Sequence, residues 1–195
     1  MDTLKLQVII SSVRPNRFGD KPAAWIAGLA GEAGFEVSVV DLKDWQLLEF
    51  NEKASPNTLN GQLENPRGRE WNALLAPADA YVVVTPEYNH GYPASLKNAI
   101  DWTYAAASVA NKPVAFLSYG TVGGARAVEQ LRQVVIELQM APIRNQVAIV
   151  RHWELQDATG ALKPGAMDAY ADGAKAMLEQ LQWWAKALKV AREAK

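Results

Sequence analysis

Short apolar, β-branched runs alternate with helical stretches along the chain. Leu4 to Ile10 ends in the unbroken run Val8-Ile9-Ile10 and predicts a first strand. Pro15 and Gly19 punctuate the loop that follows. Pro22 suits a first helical turn, and Ala23 to Ala33 supplies good helix formers before Gly34 ends them. Phe35 to Leu42 predicts a second strand. Asp79 to Thr85 predicts a third, continuous and β-branched as a strand buried on both faces requires. Val114 to Ser118 predicts a fourth, and Gln146 to Val150 a fifth with a weaker signal. Helices are predicted from Gly68 to Ala76, Pro93 to Ala107, Gly123-Gly124 to Met140, and Met167 to Arg192. Asp44 to Pro66 is polar, holds two prolines and shows no period, which predicts a surface loop. In the last helix Met177, Leu181, Trp184 and Leu188 form a stripe expected to dock on the sheet, with Trp183 off it.

Strands that alternate with helices pair in parallel through right-handed crossovers. The expectation is a doubly wound α/β sandwich with helices on both faces. No internal repeat, low-complexity run or linker divides the 195 residues, so residues 1–195 read as one domain. Twenty Lys and Arg against twenty-one Asp and Glu leave a net charge of −1, which excludes a strongly basic nucleic-acid groove. Cysteine is absent, which excludes disulfides, a thiol nucleophile and thiolate-held metal. The two histidines, His90 and His152, are too far apart in sequence to suggest a metal site. Asp2 stands where an export signal needs positive charge, and no apolar stretch approaches a bilayer span. The expected location is the cytoplasm.

In an open parallel sheet, ligands bind beyond the carboxyl ends of the strands, near the switch in strand order. The loops after strands one, three and four therefore matter most. The first, Ser11 to Gly19, joins Ser12, Arg14, Asn16 and Arg17 to a helix start. Hydroxyls, guanidinium forks and helix N–H groups together suit a phosphate monoester. It carries neither a Walker pattern nor a dinucleotide glycine fingerprint. Asp41, at the end of strand two, therefore reads as a structural or capping residue. The third-strand loop offers Pro86, Glu87, Tyr88 and Asn89: a flat aromatic face beside an amide, fit for a planar heteroaromatic ring. The fourth-strand loop offers Ser118, Gly120, Thr121 and Gly123, where backbone N–H groups can approach a ligand closely. His90 reads as a solvated or structural histidine.

Pro86-Glu87-Tyr88-Asn89, followed by Leu96-Lys97-Asn98-Ala99-Ile100-Asp101-Trp102, resembles the signature of the NADPH-dependent FMN reductase family of flavodoxin-like proteins. Gly123-Gly124-Ala125-Arg126 with Gln130-Leu131-Arg132 is similar to the helix start of that family. The family's usual G-S-x-R appears as Ser11-Ser12-Val13-Arg14, and a later polar position is Gly19. The resemblance covers about Leu4 to Val150. It implies five parallel strands in the order 2-1-3-4-5 and bound FMN. Ser12, Arg14 and Arg17 would hold the phosphate, Pro86 to Asn89 would line the ring, and Ser118, Gly120, Thr121 and Gly123 would close its other side.

The implied activity is an NAD(P)H-dependent reductase that passes hydride through FMN to a quinone, azo, nitro, flavin or chromate acceptor by ping-pong turnover. No catalytic side chain and no metal are implied. The alternative is a flavin-binding electron carrier or regulatory partner with little turnover. The partners expected are NAD(P)H, a small acceptor and further copies of the chain in a homodimer or homotetramer, with Asp101, Trp102 and Tyr104 near that interface. Neither nucleic acid nor membrane insertion is expected.

Overall fold

The computed structural model describes residues 3–194; Asp2, invoked above against an export signal, lies outside them. Strands β1 (Lys5–Ile10), β2 (Glu36–Asp41), β3 (Ala80–Pro86) and β4 (Pro113–Gly120) pair in parallel in the order β2-β1-β3-β4. The expected fifth position is filled by two short strands. β5 (Ala141–Pro142) pairs with the start of β4, and β6 (Val147–Val150) pairs with Leu117 to Gly120 at its end. The Ala141 and Ile143 N–H groups donate to the Lys112 and Val114 carbonyls, both at 3.0 Å, so the N-side of Pro142 is turned to the open edge, where a proline costs no ladder bond.

The sheet switches direction between β1 and β3. Alternating side chains feed two cores. Leu6, Val8, Val82, Val84 and Leu117 face α1 (Asp20–Glu32) and the terminal helix α7 (Ala171–Glu193). Ile9, Tyr81, Val83, Val114 and Phe116 face α3 (Pro66–Leu75), α4 (Ala94–Asp101) and α6 (Ala125–Glu137). Every residue of β3 and β4 is buried, as their continuous apolar runs anticipate. On α7 the buried stripe is Ala174, Met177, Leu178, Leu181 and Ala185, with Trp184 half-buried and Trp183 exposed.

Three expectations need correction. The helix expected over Pro93 to Ala107 stops at Asp101. A short helix, α5 (Ala105–Ser108), follows after the chain bends to bury Trp102 and Thr103. Trp102 is fully buried and donates from Nε1 to the Leu48 carbonyl at 2.8 Å, so it belongs to the interior and not to an interface. The segment from Asp44 to Pro66 is mostly irregular, but it is not a simple surface loop. Leu63 is buried in the second core, and Phe50 meets the Trp102 ring edge-on at 5.0 Å. Gly68 allows this packing, because a Cβ there would lie 2.5 Å from the Trp102 ring. Asp41 caps the one-turn helix α2 (Leu42–Trp45) by accepting from the Lys43 N–H at 2.8 Å, the capping role read from sequence.

Candidate functional site

The loops after β1, β3 and β4 meet beyond the carboxyl ends of the strands. Ser11 extends the ladder by donating its N–H to the Val84 carbonyl at 3.0 Å. The Ser95 hydroxyl holds the Ser11 carbonyl at 2.6 Å, which ties the loop to α4. The Ser12 hydroxyl meets the Tyr88 hydroxyl at 2.8 Å and joins the first and third-strand loops. Arg14 is exposed, its guanidinium 5.4 Å from the Tyr88 ring centre, and Asn16 is exposed beside it.

Arg17, expected to hold a phosphate, reaches the cavity between these loops with its guanidinium already committed to carboxylates. Its side chain is buried. Nε donates to Asp20 at 2.6 Å and Nη1 to Asp41 at 2.7 Å, with further bonds to the second Asp41 oxygen and to the Ser12 carbonyl. Burial pushes the Asp41 carboxyl up, but the Arg17 hydrogen bond, the Lys43 N–H and the Arg17 charge together hold it below the usual carboxylate range. Arg17 braces the loop from within, and Arg14 is left as its outward cation.

After β3 the chain turns back within four residues. Tyr88 and Gly91 exchange backbone bonds of 2.8 and 3.0 Å, while Asn89 and His90 take positive φ of 51° and 68°. A tight hairpin turn of this hand demands that conformation, and asparagine and histidine tolerate it better than most residues. Asn89 and His90 are exposed, and the His90 carbonyl accepts from Gln130 at 2.9 Å. The Glu87 side chain is committed elsewhere: it accepts from the Arg126 N–H at 3.0 Å and from the Arg126 guanidinium at 2.6 Å. The start of α6 is thereby fixed to the β3 loop.

In the β4 loop the buried Ser118 hydroxyl donates to the Gly123 carbonyl at 2.6 Å. Gly124, at φ 78°, packs so closely that a Cβ would stand 2.6 Å from the Ser118 Cβ. Thr121 is exposed at the crest of the loop.

A cavity of about 170 Å³ opens where the three loops converge. Arg14 to Phe18, Pro86 to Tyr88, and Tyr119 with Gly120 line it, so it gathers seven of the twelve expected residues: Arg14, Asn16, Arg17, Pro86, Glu87, Tyr88 and Gly120. Ser12 stands behind Tyr88; Asn89, Thr121 and Gly123 lie on the flanking turns, and Ser118 lies within β4. The sequence reading did not select Phe18, Tyr119, His152 and Gln156, which complete the wall. The last two belong to the segment after β6, anchored by the Arg151 N–H on the Gly120 carbonyl at 2.8 Å. The available signal was their position just past the carboxyl end of a strand. Burial lowers the His152 pKa and favours the neutral imidazole.

A wider groove of about 840 Å³ lies at the opposite end of the sheet. Its central charges are already engaged: Asp79 accepts from Lys189 and Arg192, both at 3.1 Å, and Lys112 donates to the Ala76 and Ser108 carbonyls. The cavity beyond β1, β3 and β4 has what that groove lacks. On its wall the Tyr119 hydroxyl has no acceptor for its proton and His152 Nδ1 has no partner, so polar capacity is held ready for a ligand. With an exposed arginine and a helix start, this arrangement fits a flavin nucleotide carrying a phosphate.

A parallel sheet in this order, with its cradle at the switch point, defines a flavodoxin-like protein. The chain belongs to the NADPH-dependent FMN reductase family, which it matches over residues 4–154. It is 35% identical over 152 residues to an NAD(P)H-dependent FMN reductase of Schizosaccharomyces pombe, covering 76% of this chain and 75% of that one. It is 35% identical over 144 residues to a quinone reductase of Escherichia coli K12, covering 69% and 71%. Among solved structures it is similar in fold to FerB, a flavoenzyme NAD(P)H:(acceptor) oxidoreductase from Paracoccus denitrificans. There the TM-score is 0.71 at 22% identity, covering 92% of this chain and 98% of that one. Family membership makes the chain an oxidoreductase. Among the described residues no helix is long and apolar enough to cross a membrane.

Proposed function

We propose that this chain transfers hydride equivalents from NAD(P)H, through bound FMN, to a small acceptor of the quinone, azo, nitro, flavin or chromate class, with both substrates using one open face in turn. The observation that carries the reading is the convergence of the loops after β1, β3 and β4 on one cavity with unpaired polar groups. When bound, FMN supplies the redox chemistry; the protein's part is to bind, orient and shield. Arg14, the Ser12 hydroxyl and the N–H groups at the start of α1 offer charge and donors to a phosphate. Pro86 to Asn89 present a rigid turn to one edge of a ring. Gly120 to Gly123 bring backbone toward its other edge, at the positive end of α6, where negative charge developing on a ring is stabilised. No side chain of the cradle is needed as a proton donor, and His90 stands outside the cavity lining.

Titrating the apoprotein with FMN and with riboflavin tests this reading. Arg14→Ala is expected to weaken FMN by about tenfold, the scale of a charge-assisted bond, with much less effect on riboflavin. His90→Ala is expected to keep turnover within about tenfold of wild type, short of the loss that follows removal of a general acid–base group. Equal weakening of both flavins by Arg14→Ala would remove that residue from the phosphate site. Anaerobic bleaching of the flavin by NAD(P)H without turnover of a quinone would instead describe an electron carrier.

The same reading includes a cytoplasmic location, where NAD(P)H is supplied, and a homodimer or homotetramer. With Trp102 interior, the apolar residues left for a second copy on the site's own loops are Val13, Val122 and Trp153. Light scattering at micromolar concentration decides this; a monomer that still reduces a quinone would show the site to be complete in one chain.

A further inference from the structure

The start of α1 has an inner wall that its own loop does not supply. Gly19, which opens the helix, has no side chain to cap it. Tyr119, from the end of β4, occupies the space behind: a Cβ on Gly19 would stand 2.9 Å from the Tyr119 hydroxyl. Tyr119 is only 3% exposed; the Gly19 N–H faces its oxygen, but nothing accepts the hydroxyl's own proton. A hydroxyl left unpaired in the interior is costly unless something accepts its proton. Phe18 and His152 fix the ring edge-on, with centres 5.1 and 5.0 Å from it. His152 brings a second unpartnered atom, the buried Nδ1, to the same wall. Both residues line the cavity that Arg14 and Asn16 border on the solvent side. Arg17, the other cation of the loop, is spent on Asp41 and Asp20. The cavity thus has a charged outer side and an inner side of idle polar groups.

We propose that the Tyr119 hydroxyl, flanked by His152, is the inner hydrogen-bond donor of a phosphomonoester site at the start of α1. The inference rests on the reading that the loop after β1 holds such a group. It adds a contact from β4, on the far side of the cavity. Burial pushes the Tyr119 phenol well above its ordinary pKa, so it keeps its proton and meets an anion as a donor. Its exclusion from bulk water strengthens any bond it makes to a charged oxygen. Gly19 is the matching half of the arrangement, because any side chain there would take the hydroxyl's place. Two participants in the proposed reaction carry a phosphomonoester: FMN at its terminal phosphate, and NADPH at its 2′ position.

The test uses wild type, Tyr119→Phe and Gly19→Ala, the last of which crowds the hydroxyl from the helix side. Dissociation constants are measured for FMN and riboflavin by flavin fluorescence, and for NADPH and NADH by nicotinamide fluorescence. Tyr119→Phe is expected to weaken FMN by about tenfold and leave riboflavin unchanged, with Gly19→Ala showing the same selectivity. A loss confined to NADPH relative to NADH would support the donor role and assign it to the 2′-phosphate. Unchanged affinities, or equal losses for FMN and riboflavin, would overturn the assignment. The wild type separates this inference from the reading beneath it. If wild type prefers FMN to riboflavin and both variants keep that preference, only the role of Tyr119 fails. If wild type shows neither that preference nor one for NADPH over NADH, both fail.

Discussion

Trp102→Ala is expected to destabilise the protein by about 3–5 kcal/mol, the range for removing a large aromatic side chain from a packed core. Trp102 is fully buried, packs edge-on against Phe50, and stands against Gly68 of α3 so closely that no side chain fits between them. Its indole N–H donates to the Leu48 carbonyl, which Asn98 Nδ2 also reaches at 2.9 Å, so alanine leaves chiefly a void. In a chain of this length the loss corresponds to a fall of about 10 °C in melting temperature. Calorimetry with light scattering on the same samples checks it. An unchanged melting temperature with loss of an oligomer would return Trp102 to an interface.

Arg17→Met is expected to cost about 2 kcal/mol. Truncating one partner of a fully buried pair costs more, but Asp41 keeps some contact with water to compensate. Methionine preserves much of the packing of the arginine stem, so the loss reports on the ion pair. The pH dependence follows from the direction of the Asp41 shift. Because its folded pKa lies below the unfolded value, the pair's contribution is fully present above the unfolded pKa and is lost as pH falls through the folded one. The gap between wild type and Arg17→Met should be widest near neutrality and narrow below about pH 4, the ordinary range of a carboxylate. Urea unfolding at neutral and acid pH measures it; a gap independent of pH would mean that the pair does not carry the effect. FMN affinity should fall as well, because Arg17 also holds the Ser12 carbonyl.

The strands that build the site were legible because β3 and β4 are buried on both faces and β1 nearly so, and burial of that kind writes itself as near-continuous apolar runs. The three loops followed from topology, since the crossovers bring those strand ends together. Side-chain destinations were less legible. Arg17 faces inward because Asp41, 24 residues later, lies at the end of the neighbouring strand, and nothing local to the loop marks that pairing. The overall polar composition of residues 44–66 hid Leu63, an isolated apolar residue, and Phe50, which ends a short apolar cluster with no sustained period. The end of α4 was missed because Trp102 and Thr103 are compatible with a helix, and tertiary packing bends the chain there. His152 escaped selection because it follows the shortest legible strand, and no pattern within its own segment points toward the cavity.

The bonds made by Arg17, Glu87 and Ser118 also bear on how the enzyme could be re-engineered. These side chains clamp the loops to one another from inside, whereas Asn89, Thr121, Val122 and Trp153 are exposed on the outer turns. Mutations at the first group alter the scaffold and its tolerance of every later change. Mutations at the second group alter only the surface an incoming molecule meets. A library aimed at a new electron acceptor should therefore diversify the crests and leave the clamps untouched, and lineages diverging in substrate range should accumulate their differences in the same places.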